Sequence, residues 1–103
     1  MNDKMLYKRI SQDEAKYIMD NEIGYLILDV RTPTEFEIHH IKGAINLPNE
    51  EIYEDNIEIL PDKNQKILVY CRSGYRSLQA SAKLGLLGYK NIYEFGGILN
   101  WKY

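Results

Sequence analysis

Four short apolar runs punctuate the chain: Tyr25-Leu26-Ile27-Leu28, Ala44-Ile45-Asn46-Leu47, Ile67-Leu68-Val69-Tyr70 and Asn91-Ile92-Tyr93-Glu94-Phe95. Each is short and rich in residues that suit strands, and the continuous ones read as strands buried on both faces. Tyr7-Lys8-Arg9-Ile10 is a weaker candidate for a first strand. The intervening stretches mix polar and apolar positions at helical spacing. Ser11 with Glu14 three residues on is a capping-box signature, followed by Ala15, Ile18 and Met19 on one face, and Gly24 is expected to close that helix. Thr32-Pro33-Thr34-Glu35 reads as a turn into a short helix. The stretch from Glu50 to Leu60 sets Ile52, Ile57 and Ile59 among acids and reads as a further helix ended near Pro61. From Arg76 to Leu87 the residues Leu78, Ala82 and Leu86 fall at i, i+4 and i+8, with Gly88 as the stop. Gly96-Gly97 turns the chain into a last stretch containing Trp101, where a terminal helix is expected to be incomplete or frayed.

Strands alternating with helices predict an α/β fold with a parallel sheet covered on both faces. Functional crevices in such sheets lie beyond the carboxyl ends of the strands. Two of the best runs deliver polar residues there: Asp29 after the first and Cys71 after the third.

Length and composition narrow this further. At 103 residues and 12.1 kDa the chain is expected to be one domain, residues 1–103, with its motifs starting near residue 6. A net charge of −2 and a pI near 5.7 argue against a nucleic-acid partner, which needs a basic face. No run approaches the roughly 20 apolar residues of a membrane span. The charged opening, Met1 to Arg9, has no apolar run behind it and does not read as a signal peptide, so a cytoplasmic location is expected. The single cysteine excludes an internal disulfide, a metal site built on several thiolates of this chain, and a second thiol to resolve the first.

Cys71 sits between an apolar strand and a helix, followed by Arg72-Ser73-Gly74-Tyr75-Arg76. A helix start carries free N–H groups and partial positive charge, and successive amides in a loop make a cradle for an anion. A thiolate is favoured in such surroundings, and fixed positive charge attracts an anionic substrate. Two of the chain's four arginines lie in this loop. A buried cysteine that merely packs is the competing reading, since free Cys behaves as a small apolar residue. Gly74 fits a loop that must wrap tightly round an anion, although an ordinary turn would ask for the same residue.

With these residues in hand the chain resembles the rhodanese-like sulfurtransferases, in their single-domain form. The resemblance is carried in order by Leu28-Asp29-Val30-Arg31, by His40 to Pro48, by Val69 to Ser77, then by Leu84, Gly88-Tyr89, Gly96-Gly97 and Trp101. It implies a five-stranded parallel sheet flanked by helices, with Cys71 as the catalytic residue. The thiolate would attack the outer sulfur of thiosulfate or a persulfide donor, and the resulting persulfide would pass its sulfur to a thiol, cyanide or a protein acceptor. Arg72, Ser73, Gly74, Tyr75 and Arg76 would form the substrate-binding loop, and Asp29, Arg31 and Ser77 would support it. No cofactor or metal is implied.

The nearest competing chemistry is that of protein-tyrosine phosphatases, rhodanese-like phosphatases and arsenate reductases. The phosphatase loops carry one more residue between Cys and Arg than the four here, and in them the arginine would fall at Ser77. The shorter loop makes a tighter pocket, suited to one sulfur atom. A regulatory binding module and a sulfur carrier of the same fold are the remaining alternatives; retention of Cys71 argues against the first. Arg72 is favoured for docking the donor, whereas Arg76 has equal claims as a substrate ligand and as a partner of Asp29. Arg31 is expected to pair with Glu35 across the turn. His39-His40 makes a poor chelate because adjacent side chains point apart, and His40 reads as structural. Tyr75 is expected to face the entrance.

Overall fold

The computed structural model describes residues 6–54 and 56–103. Met1 to Met5, most of the charged opening, and Asp55 lie outside them. Five strands, β1 (Lys8–Arg9), β2 (Leu26–Asp29), β3 (Ile45–Asn46), β4 (Lys66–Cys71) and β5 (Asn91–Gly97), form one sheet in the order β1-β5-β4-β2-β3. Every neighbouring pair is parallel. Three α-helices join them: α1 (Gln12–Asn21), α2 (Pro33–Ile38) and α3 (Tyr75–Leu86). The strands with the most uninterrupted apolar character, β2 and β4, lie at the centre, as expected of strands covered on both faces.

The two-residue period of β4 sorts its side chains between two cores. Ile67, Val69 and Cys71 face α3, together with Leu28, Leu84, Ile52 and Leu60. Leu68 and Tyr70 face the other way, with Ala15 of α1, Ile27, Ile41 and Phe95. Cys71 is thus the last core residue of its row. Each fully buried aliphatic side chain contributes about 1.5–3 kcal/mol.

The helix starts follow their sequences. Ser11 caps α1, its hydroxyl accepting from Glu14 N–H while the Glu14 carboxylate accepts from Ser11 N–H. Thr32 and Glu35 close α2 in the same way, with Pro33 in the first turn. At its far end α3 stops in a Schellman motif: Tyr89 N–H reaches Leu84 O and Gly88 N–H reaches Gly85 O, both at 3.1 Å.

Three expectations need correction. Glu50 to Leu60 is not an α-helix; a single 3-10 turn, Asn49–Glu51, opens an irregular segment that still buries Ile52 and Leu60. A helix there would stack Glu50, Glu54 and Glu58 at i, i+4 spacing, where like charges repel. The helix α1 ends at Asn21, with Glu22 N–H on Ile18 O, before Gly24 is reached. The buried face of α3 is Ser77, Ala80, Ser81 and Leu84, not the Leu78, Ala82, Leu86 stripe; Leu86 is 75% exposed. Small residues let the helix settle close on the sheet, so apolarity alone misplaced its face.

Candidate active site

The carboxyl end of β4 brings Cys71 under the amino terminus of α3. The pairing of β4 with β5 is irregular between Val69 and Cys71, where Cys71 comes to face Gly97. The next residues climb over Gly97: a β-carbon placed on it would lie 2.1 Å from Arg72 O and 2.6 Å from Ser73 Cα. Only a glycine lets β5 pass this close beneath the loop. The chain then reverses at Gly74, in the left-handed region at φ 104°, and α3 begins. That reversal turns the Gly74 N–H onto Cys71 Sγ, at 3.0 Å. No side chain caps this helix start.

Cys71 is 1% exposed, so it packs as the competing reading required, yet it does so against the Gly74 amide. Its Sγ also lies 3.4 Å from Ser77 Oγ, in the first turns of α3. Ser77 Oγ in turn donates to Glu94 Oε2 at 2.6 Å. Arg72 and Ser73 are exposed on the rim, and Tyr75 is 74% exposed. A cleft of about 670 Å³ flanks the loop, with Ser73, Gly74 and Tyr75 on one wall and Arg9, Gln12 and Gly96 on the other.

The supporting charges pair differently from expectation. Asp29 is held by Arg31, through Nε at 3.0 Å and Nη2 at 2.7 Å, by the Arg31 N–H at 2.9 Å, and by the Tyr70 hydroxyl at 2.6 Å. Arg76 does not reach it; both its arms grip Glu35, at 2.7 and 3.0 Å. The expected Arg31–Glu35 and Arg76–Asp29 pairs are therefore exchanged. Capping fixes Glu35 at the start of α2, facing the start of α3, whereas Asp29 lies in the sheet interior beside Arg31. Burial works against the Arg31 charge, but the Asp29 hydrogen bonds outweigh it and hold the guanidinium above its ordinary range. Burial, aided by the bond to Asp29, pushes the Tyr70 phenol far up. The Arg76 hydrogen bond lowers the Glu35 carboxyl to about 2. Arg76 is raised, chiefly by Glu35, and more weakly by charge on Cys71 and Glu50.

Three participants escaped the sequence reading. Tyr70 passed for an apolar strand residue, but its hydroxyl bridges Asp29 and the Ile41 N–H. Glu35 was assigned to the wrong arginine. Glu94 enters the sequence reading only as a member of the last strand run, although an acid between Ile92 and Phe95 is itself a signal; it is 1% exposed. His40 stacks on Phe36 with ring centroids 3.8 Å apart, its Nδ1 2.7 Å from Phe36 O. Among the described residues no group of three or more His, Cys, Asp or Glu could hold a metal ion, and no helix is long and apolar enough to cross a membrane.

Known proteins are similar to this chain in sequence and in fold. The chain is 39% identical to the thiosulfate sulfurtransferase PspE of Escherichia coli, over 69% of this chain and 68% of that protein. It is 36% identical to a tRNA uridine(34) hydroxylase of Leptospira interrogans over 91% of this chain, which spans only 27% of that longer protein. Among solved structures it is similar to an E. coli rhodanese with anions, with a TM-score of 0.68 and 37% identity over 74% of this chain and 89% of that one. A rhodanese-like domain protein of Staphylococcus aureus gives a TM-score of 0.79 at 30% identity, over 91% and 90% of the two chains. The model of the rhodanese-like domain matches residues 11–103, and the chain belongs to that family.

Proposed function

We propose that the chain is a sulfurtransferase that carries a sulfane sulfur on Cys71. The observation that carries this reading is the uncapped start of α3, whose Gly74 N–H is aimed at the Cys71 sulfur at 3.0 Å. The Cys71 thiolate attacks the outer sulfur of thiosulfate or a persulfide donor. The donor's S–S bond breaks, its electron pair leaves with sulfite or the donor thiolate, and a Cys71 persulfide anion remains. An external thiol, cyanide or a protein acceptor then takes the outer sulfur and returns Cys71 as the thiolate.

The loop supplies what these steps need. The Gly74 N–H faces the growing negative charge on a buried sulfur, as a donor does in an oxyanion hole. Arg72, exposed beside the nucleophile, docks the anionic donor. Arg76 is fixed by Glu35 and contributes its field to the loop, while Ser73 and Tyr75 form the rim that an acceptor meets. Asp29, Arg31 and Ser77 hold the frame. The likeness to an E. coli rhodanese with anions supports an anionic ligand, and the likeness to PspE supports thiosulfate as a donor. The match to tRNA uridine(34) hydroxylases covers about a quarter of their length, so it supports a shared module rather than a shared overall reaction.

Steady-state turnover of thiosulfate with cyanide tests the proposal. Parallel double-reciprocal lines, the mark of a covalent intermediate, are expected. Hydrolysis of an aryl phosphate that Cys71→Ser abolishes, with no reaction toward thiosulfate, would overturn it in favour of a phosphatase.

A further inference from the structure

Glu94 is a buried carboxylate without a part in the chemistry above. It sits in β5, 1% exposed, and lies two hydrogen bonds from the reactive sulfur. Its Oε2 accepts from Ser77 Oγ at 2.6 Å and from the Gly96 N–H at 3.0 Å; its Oε1 accepts from Arg9 Nε at 3.2 Å. Donors from α3, β5 and β1 thus converge on it, a set that suits an ionised carboxylate. On the other side of Ser77, Cys71 Sγ lies 3.4 Å from the same hydroxyl oxygen.

Ser77 has one hydroxyl proton and cannot give it to both Glu94 and Cys71; the Gly96 carbonyl, also within reach at 3.4 Å, is a longer contact than Glu94 at 2.6 Å. With that proton on the Glu94 side, the Ser77 oxygen is an acceptor, and Cys71 faces it as a thiol. With the proton on the sulfur side, Ser77 steadies a thiolate, and Glu94 must carry a proton. The two arrangements hold the same number of protons and differ only in where they sit.

We infer that Glu94 is the acceptor of the Cys71 proton, reached through Ser77. The S–H proton passes to Ser77 Oγ while the Ser77 hydroxyl proton passes to Glu94 Oε2. The products are a Cys71 thiolate, an intact Ser77 hydroxyl turned toward it, and a neutral Glu94. Negative charge moves from the carboxylate to the sulfur, where the Gly74 N–H and the field of Arg76 meet it; no electron changes hands and no proton crosses to solvent. Loss of the sulfur to an acceptor leaves Cys71 as the thiolate again, and the proton returns by the same route. Glu94 acts through Ser77 and is a positioning residue for that proton. This inference rests on Cys71 being the sulfur-carrying nucleophile.

Cys71 is the chain's only thiol, so its alkylation by iodoacetamide reports the thiolate without interference. The rate is followed from about pH 4 to 9. Two groups sharing a proton titrate as a pair, so the natural protein is expected to show a shoulder of nearly constant rate below the main step. Glu94→Gln cannot receive the proton and is expected to lose the shoulder, its rate falling about tenfold per pH unit below a single midpoint. Ser77→Ala breaks the chain and is expected to lose the shoulder too. A carboxylate that merely braced β5 would alter stability and leave the profile's shape alone. A single-step profile in the natural protein, which needs no variant to fold, overturns the inference; so does a shoulder that survives Glu94→Gln. The reagent carries no sulfur to transfer, so this outcome is independent of whether thiosulfate loads Cys71, which intact mass reads on the same sample.

Discussion

The starts of α2 and α3 face each other across the active-site rim and are built in opposite ways. At α2 the Thr32 hydroxyl and the Glu35 carboxylate close on the backbone of the first turn, so the chain's own groups satisfy its amides. At α3 Gly74 occupies the cap position, with no side chain to offer, and its amide turns to the Cys71 sulfur. Both ends carry the same partial positive charge. One spends it on an internal carboxylate and the other keeps it for a sulfur anion. The closed end also serves the open one, because the Glu35 that caps α2 grips Arg76 in the first turn of α3. A helix start therefore becomes a candidate site when its capping residue is missing and a nucleophile stands in that place.

Substitutions can break this contrast, and their effects on sulfur loading should descend in order. Gly97→Ala comes first, because its β-carbon would collide with the Arg72 backbone and lift the whole loop. A loss on the order of 10³-fold in the loading rate is expected, with about 1–3 kcal/mol lost in urea unfolding. Gly74→Ala forces a side chain into the left-handed region at about 1–2 kcal/mol. It should tilt one amide off the sulfur and slow loading on the order of 10²-fold. Stopped-flow loading with thiosulfate checks both.

Glu35→Gln is milder. The Glu35 carboxyl sits near 2 in the folded chain against 4.5 for the free group, so its contribution is present above pH 4.5 and fades as pH falls toward 2. The variant should be less stable than the natural protein near neutrality, by under about 1 kcal/mol for a pair this exposed. The difference should close on acidification; unfolding midpoints that stay apart near pH 2 would contradict the pairing. Ser11→Ala removes a cap whose hydrogen bonds, to Glu14, do not involve the sulfur or its loop. It is expected to cost about 1 kcal/mol in thermal unfolding and to leave loading unchanged, which shows what an ordinary cap is worth.

Much of this was legible in the sequence because it is local. The capping box at Ser11 and Glu14, the strand runs of β2 and β4, the stop at Gly88 and the place of Cys71 at a strand end depend on residues within a turn or two of one another. What escaped is what the fold brings together from afar. Glu35 and Arg76 lie 41 positions apart, as do Asp29 and Tyr70, and nothing in either neighbourhood says which acid meets which base. Ser77 and Ser81 occupy the buried face of α3 because the sheet passes close beneath, a demand that hydrophobic patterning does not register. The acidic run after Asn49 misled for the opposite reason: Ile52 and Ile57 do find the core while Ile59 stays exposed, but repelling charges keep the backbone out of a helix.

The central claim is that the open start of α3 lets Cys71 hold a transferred sulfur. Intact mass after incubation with thiosulfate tests it most directly. The account requires a gain of one sulfur atom in the natural protein, removed by cyanide and absent in Cys71→Ala. No gain with thiosulfate or with any persulfide donor would contradict it.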